Sequence, residues 1–315
     1  MNNKTIATIA LSSRDFASFE EKLAEAVQWI ELASRQGADM AVLPEMINLW
    51  RGDGPGNPNA MTYGQAAFDN WQQRTAPLID AARRLKIGVT VPIVVREGKK
   101  LTNSCFFISR QGEVVGRYDK IYPTIGELEQ GIVPGTPKLI EWEGLRVAGA
   151  ICFDTNFSSV FEDQAGMGAQ LFVIPSLWPG GRQLNYFASH YSVPIVIAYP
   201  AWSRIIGYDG NELVAGGYRW ETLRWGFGAP VYLATINFDY VALHGDYNQE
   251  KMYDLQRTYG EKVRVRYDQD NATFYLESLA KDFTVADLIK KHDLLPIRDY
   301  FGQRYPKARA KFVAE

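Results

Sequence analysis

The chain has few of the residues that build metal centres or disulfide frameworks: its 315 residues include two cysteines, Cys105 and Cys152, and three histidines, His190, His244 and His292. A disulfide-stapled fold is excluded because such frameworks need a dense set of cysteines, and no His/Cys cluster has metal-ligand spacing. Charge of one sign is also lacking. Thirty-four Lys and Arg against thirty-six Asp and Glu leave a net charge of −2, which offers no field for gathering phosphates or anionic lipid. Neither nucleic acid nor a membrane surface is therefore an expected partner. No apolar run is long enough to span a bilayer, and the start, Met1-Asn2-Asn3-Lys4-Thr5-Ile6, has no apolar signal core, so a cytoplasmic location is expected. Linkers and charge blocks are missing too, which points to one compact α/β domain with a C-terminal extension. Apolar and aromatic residues are plentiful at 46% and 13%, ample for a large core.

The apolar pattern predicts alternating strands and helices. Phe19, Leu23, Val27, Ile30 and Ala33 lie on one helical stripe closed by Gly37, and Met40-Ala41-Val42-Leu43 follows as a strand buried on both faces. Pro44 forces the chain out of the ladder where Glu45 appears. A helix over Leu78 to Leu85 leads to a strand at Val89–Val95, and the segments 104–108 and 114–118 read as a hairpin that delivers Lys120 to a strand end. The run Leu145 to Ile151 ends at Cys152, ahead of a helix from about Ser158 to Met167. Gly37–Pro44 and Gly168–Pro175 also echo each other as helix end, strand and closing proline, which suggests two similar units stacked as a sandwich.

A thiol, a carboxylate and an ammonium at strand ends form the set needed for acyl transfer through a covalent intermediate. Glu45 would take the thiol proton, while Lys120 and the Phe153 N–H, next after Cys152, would hold the oxyanion. Leu43-Pro44-Glu45, Gly116-Arg117-Tyr118-Asp119-Lys120, Ile151-Cys152-Phe153-Asp154-Thr155-Asn156-Phe157 and Val173-Ile174-Pro175-Ser176 together resemble the nitrilase-like carbon–nitrogen hydrolases, which use a Glu-Lys-Cys triad. Their order and spacing fit, with 75 positions from Glu45 to Lys120 and 32 from Lys120 to Cys152, and the likeness runs from about Thr5 to Leu276.

The resemblance implies a four-layer α-β-β-α sandwich, expected over residues 1–280, while 281–315 read as an extension that lies either at a subunit interface or folded onto its own domain. It also implies at least a homodimer, no metal or organic cofactor, and Cys152 as nucleophile, Glu45 as general base and Lys120 as oxyanion partner. A second glutamate belongs on the loop after the lysine. The form of Lys120–Glu127 nominates Glu127, whereas counting back from Pro134-Gly135 favours Glu129 as the residue facing substrate; Glu127 is preferred. Phe153-Asp154 is similar to amidase and carbamoylase branches, Lys120-x-x-Pro123-Thr124 to nitrilases, and Thr155 stands where many carbamoylase-like members carry an arginine. Hydrolysis of an amide or N-carbamoyl substrate through a thioester, with release of ammonia, is the leading expectation. A nitrilase acting through a thioimidate and a catalytically idle binding protein are its alternatives.

Trp178, after Ser176 at a strand end, is the first candidate for a pocket wall and Trp202 the second, among aromatics that also include Tyr186, Tyr199, Tyr218 and Trp220. Cys105, inside an alternating strand, reads as packing. His190 is the one histidine placed to form a rival Cys–His pair.

Overall fold

The computed structural model describes residues 2–51, 60–219, 224–225 and 229–313. The chain divides into a large unit, Thr5–Thr235, and a small one made of Met1–Lys4 with Ile236–Glu315. The boundary expected at residue 280 thus falls inside the small unit.

The large unit is built on two six-stranded sheets. The first runs in the order Val231–Asn237, Asn3–Ile9, Met40–Val42, Gly88–Glu97, Lys100–Ile108, Val114–Asp119, and the second in the order Glu212–Gly216, Ser203–Ile206, Ile195–Ala198, Leu171–Pro175, Leu145–Gly149, Leu139–Trp142. In each, three parallel strands in chain order are followed by two that alternate in direction. The two echoing octets occupy the same place, the second parallel strand of each repeat, and each is entered through a glycine with positive φ, +87° at Gly37 and +95° at Gly168. Only a residue without a Cβ takes that turn cheaply.

Helices cover the outer faces. Phe19–Arg35 starts at Ser18, whose side chain accepts from Glu21 N, and buries Phe19, Leu23, Ala26, Ile30 and Ala33 against the first sheet beside Ala82 and Leu78 of Ala76–Leu85. On the second sheet, Phe161 of Ser158–Gly166 and Leu184 of Gln183–Tyr191 pack with Phe172, Ile174 and Ile195. The inner faces meet directly. Thr8 Oγ1 donates to the Ile197 carbonyl at 2.8 Å, and a Cβ on Gly149 would come within 2.3 Å of the Tyr118 ring. The layers are therefore helix, sheet, sheet, helix, as the resemblance implies.

The small unit carries a three-stranded antiparallel sheet in the order Tyr240–His244, Thr273–Ser278, Val263–Asp268. Helices Gln249–Tyr259 and Val285–His292 share a core with it through Leu243, Met252, Leu255, Leu276 and Leu288, which is why the chain is compact here well before residue 280. Of the extension expected at 281–315, Val285–His292 thus joins this core, and Tyr305–Val313 forms an exposed helix.

Candidate active site

Four strand ends converge in the large unit. Glu45 follows Met40–Val42, Lys120 follows Val114–Asp119, Cys152 follows Leu145–Gly149, and Leu177 follows Leu171–Pro175. The first two belong to one sheet and the last two to the other. Chain leaving a strand end has no ladder to satisfy, so its side chains and N–H groups are free to face a common cleft.

Lys120 Nζ bonds Glu45 Oε1 at 3.0 Å and Glu127 at 2.8 Å to Oε2 and 3.0 Å to Oε1, all three side chains being 2–3% exposed. Asn103, from the middle of Lys100–Ile108, spans the two carboxylates with its amide nitrogen, 2.6 Å from Glu45 Oε1 and 2.9 Å from Glu127 Oε1. Glu127 Oε2 also accepts from Thr124 N at 2.7 Å in a capping box that starts the short helix Ile125–Glu129. Glu127 therefore has both oxygens doubly bonded, and it serves to hold Lys120. Glu45 differs. Its Oε1 is filled by Lys120 and Asn103, whereas Oε2 accepts the Leu177 N–H at 3.0 Å, and the Cys152 thiol is a further hydrogen-bond partner of this carboxyl group.

Cys152 is half-buried and takes φ = +48°, a left-handed turn that costs a side chain about 1–2 kcal/mol. The turn is fastened from both directions. Asp154, fully buried, accepts from Ile151 N at 2.8 Å, Tyr122 N at 2.7 Å and Tyr118 Oη at 3.0 Å, tying the cysteine turn to the segment after Lys120. Thr155 Oγ1 donates to the Cys152 carbonyl at 2.7 Å. Thr155 is itself fully buried, so it supports the turn from inside.

Burial pushes the Cys152 thiol above its ordinary range, and the neighbouring Glu45 carboxylate pushes it further, against the opposing pull of Lys120 and the Leu177 N–H. Burial would strip the proton from Lys120, but the charges of Glu45 and Glu127 hold it as an ammonium, above the usual lysine range. Asp154 is raised to about 6 by burial, which outweighs its hydrogen bonds. On balance these influences hold the Cys152 thiol toward its protonated form.

Glu45, Lys120, Glu127 and Cys152 come together as the sequence suggests. Glu129 does not: it ends its short helix exposed, because two residues along a helix turn a side chain to another face. The Phe153 ring is exposed and meets Phe157 edge-on at 5.5 Å, while its N–H lies in the first turn of the 3-10 helix Cys152–Asn156, where N–H groups lack helical partners. Trp178 and Trp202 are 53% and 48% exposed, and among the described residues neither ring bonds to the four clustered side chains. Trp220 and the side chain of Tyr218 lie outside the described residues. His190 bonds and stacks with Tyr186 on its own helix, so the rival Cys–His pair does not form here. Cys105 is fully buried, as packing requires. Asn103 and the Leu177 N–H were not legible: the first sits inside a strand run, and the second is a backbone group with no residue signature.

Among the described residues no cluster of His, Cys, Asp and Glu could hold a metal ion, and no helix is long and apolar enough to cross a membrane. Residues 5–193 match the family model for carbon–nitrogen hydrolases. The chain is 24% identical over 173 residues to nitrilase homolog 2 of Dictyostelium discoideum, covering 50% of this chain and 49% of that one. It is 26% identical over 170 residues to the chloroplastic omega-amidase of Arabidopsis thaliana, covering 50% and 44%. The chain thus spans about half the length of these curated relatives. Among solved structures, a mutant of the Nesterenkonia AN1 amidase of the nitrilase superfamily shares the fold, with a TM-score of 0.63 at 20% identity over 81% of this chain and 97% of that one. With the family model matched over more than half its length and the layered fold shared, the chain belongs to the carbon–nitrogen hydrolase family.

Proposed function

We propose that the protein hydrolyses the carbon–nitrogen bond of a small amide through a thioester on Cys152. The observation that carries this reading is the asymmetry of Glu45: one oxygen is filled by Lys120 and Asn103, while the other accepts a single backbone N–H, and the same carboxyl group hydrogen-bonds the Cys152 thiol. A group so placed accepts the Cys152 proton as sulfur bonds to the substrate carbonyl carbon.

The carbonyl oxygen then gains negative charge. With one N–H on Glu45 and a second shared between the two oxygens of Glu127, Lys120 has its third for that oxygen, with the Phe153 N–H as second donor. Collapse breaks the C–N bond, Glu45 returns the proton to the departing nitrogen, and ammonia leaves. Water enters, gives its proton to Glu45 and attacks the thioester. The acid is released, and the sulfur recovers its proton. Through these steps Lys120 remains an ammonium, because Glu127 holds it without sharing in proton transfer.

The amide class also finds support in relatives: solved structures of the Nesterenkonia amidase hold acrylamide and butyramide, and omega-amidases recur among the sequence relatives. A homo-oligomer and a cytoplasmic location remain part of this proposal. Ammonia release from butyramide and a panel of other amides, N-carbamoyl compounds and nitriles tests it. Wild type should release ammonia from one or more amides, and Cys152→Ala, Glu45→Gln and Lys120→Met should each lose about a thousandfold or more. Ammonia release that survives in Cys152→Ala would contradict the reading, as would activity confined to nitriles.

A further inference from the structure

Among the described residues two buried cations, Lys22 and Arg204, lie outside the cluster described above, and only Arg204 reaches the loop that holds Leu177. Arg204 sits on Ser203–Ile206 opposite Ile197, which places it on the helix-covered face of the second sheet among aliphatic side chains, 5% exposed. A guanidinium is costly there, and an apolar residue of similar size would pack at least as well. Its bonds show what it gives in return. Nη2 donates to the carbonyls of Pro179 at 3.0 Å and Gly181 at 2.9 Å, and Nη1 to Asn185 Oδ1 at 3.1 Å and Glu212 Oε1 at 2.8 Å.

The two carbonyls belong to the irregular loop that begins at Leu177. Ser176, fully buried, pins the Trp178 main chain from the other end, accepting from its N–H at 2.9 Å and donating to its carbonyl. Gly180 and Gly181 both take positive φ, +72° and +66°, so the loop is wound tightly enough that the carbonyls of Pro179 and Gly181, on either side of Gly180, face one guanidinium. Leu177 is the residue whose N–H meets the outer oxygen of Glu45.

We infer that Arg204 is a positioning residue: by clamping the Pro179 and Gly181 carbonyls it fixes the loop whose first N–H aligns Glu45 with Cys152. The inference rests on Glu45 acting as the base. The same N–H eases ionisation of the thiol, so displacing the loop should slow both turnover and alkylation.

Two variants reach the loop from different sides. Arg204→Leu removes the clamp, and Gly180→Ala leaves it but adds a methyl 2.5 Å from Leu184 Cδ1. Both should fold, by circular dichroism, with kcat for ammonia release down about tenfold, KM changed less than about twofold, and iodoacetamide labelling of Cys152 at pH 8 about threefold slower. Arg204→Lys, which keeps a cation and donors, should regain much of both rates. Wild-type kcat and labelling in a folded Arg204→Leu or in Gly180→Ala would overturn the inference, and so would a lower melting temperature with both rates unchanged. Glu45→Gln separates the two levels. If it has lost turnover while the loop variants have not, only the positioning role falls; if it still turns over, the catalytic reading falls as well.

Discussion

Burial does most to raise the Cys152 thiol, and the opposed charges of Glu45 and Lys120 act on top of it. The Glu45 charge disfavours the thiolate and the Lys120 charge favours it. Glu45→Gln should therefore lower the pH at which iodoacetamide labelling of Cys152 rises, even as it removes turnover, and Lys120→Met should raise that pH above wild type. Labelling midpoints in the opposite order would show that the two groups do not act on Cys152 as described. Asp154 provides a second titration. Folding raises it from 3.8 to about 6, so between those values the folded protein keeps a proton that the unfolded chain has lost. Stability should fall as pH rises through that window, by about 3 kcal/mol in all. Asp154→Asn should flatten this part of the stability profile, measured by urea denaturation from pH 4 to 7, while losing hydrogen bonds at every pH. Glu45, Lys120 and Cys152 were legible in the sequence because each follows a strand run where the ladder ends and each stands in one of the ordered motifs that carry the family resemblance. Asn103 was not, because within Lys100–Ile108 a polar residue at a buried position has the same local pattern whether it faces a site or a neighbour.

Among the elements, the five-residue helix Ile125–Glu129 does most to shape the site. It is too short to be stable by its own hydrogen bonds, and its capping box both starts it and aims Glu127 at Lys120. Thr124-Ile125-Gly126-Glu127 carries the Thr-x-x-Glu signature of that box in the sequence, which favours Glu127 over Glu129 on physical grounds. Thr124→Ala should cost about 1 kcal/mol of stability and lower turnover, as read by thermal melts and ammonia release. Glu127→Gln should cost far more activity than Glu129→Gln, and equal losses would contradict the placement of the two glutamates. The longer helices were easier to read. The stripe from Phe19 to Ala33 is long and strongly periodic, and its end at Gln36 follows from the turn at Gly37.

At the scale of the whole molecule, the large unit is one strand pattern used twice and stacked face to face, so that strand ends from both copies reach one cleft. The octets at Gly37 and Gly168 hinted at the repeat and at its stacking as a sandwich, but which residues meet between the sheets was not legible, since that depends on contacts between residues far apart in the chain. Gly149 is such a contact, leaving room for Tyr118, whose hydroxyl bonds Asp154 beneath the cysteine turn. Gly149→Ala should destabilise the fold by about 1–3 kcal/mol and reduce activity with it, as seen by thermal denaturation alongside the ammonia assay. The division near residue 235 likewise came from contacts, because the small unit's core is assembled from strands and helices with no linker to mark them. The central claim is that Cys152 carries the acyl group. Intact mass spectrometry of wild type and Cys152→Ala, quenched with acid within seconds of mixing with the amides that release ammonia, tests it most directly. Wild type should gain the mass of the acyl group with loss of the amide nitrogen, mapped to Cys152, and Cys152→Ala should gain nothing. Rapid ammonia release with no adduct on Cys152 at any quench time, or the same adduct on Cys152→Ala, would contradict it.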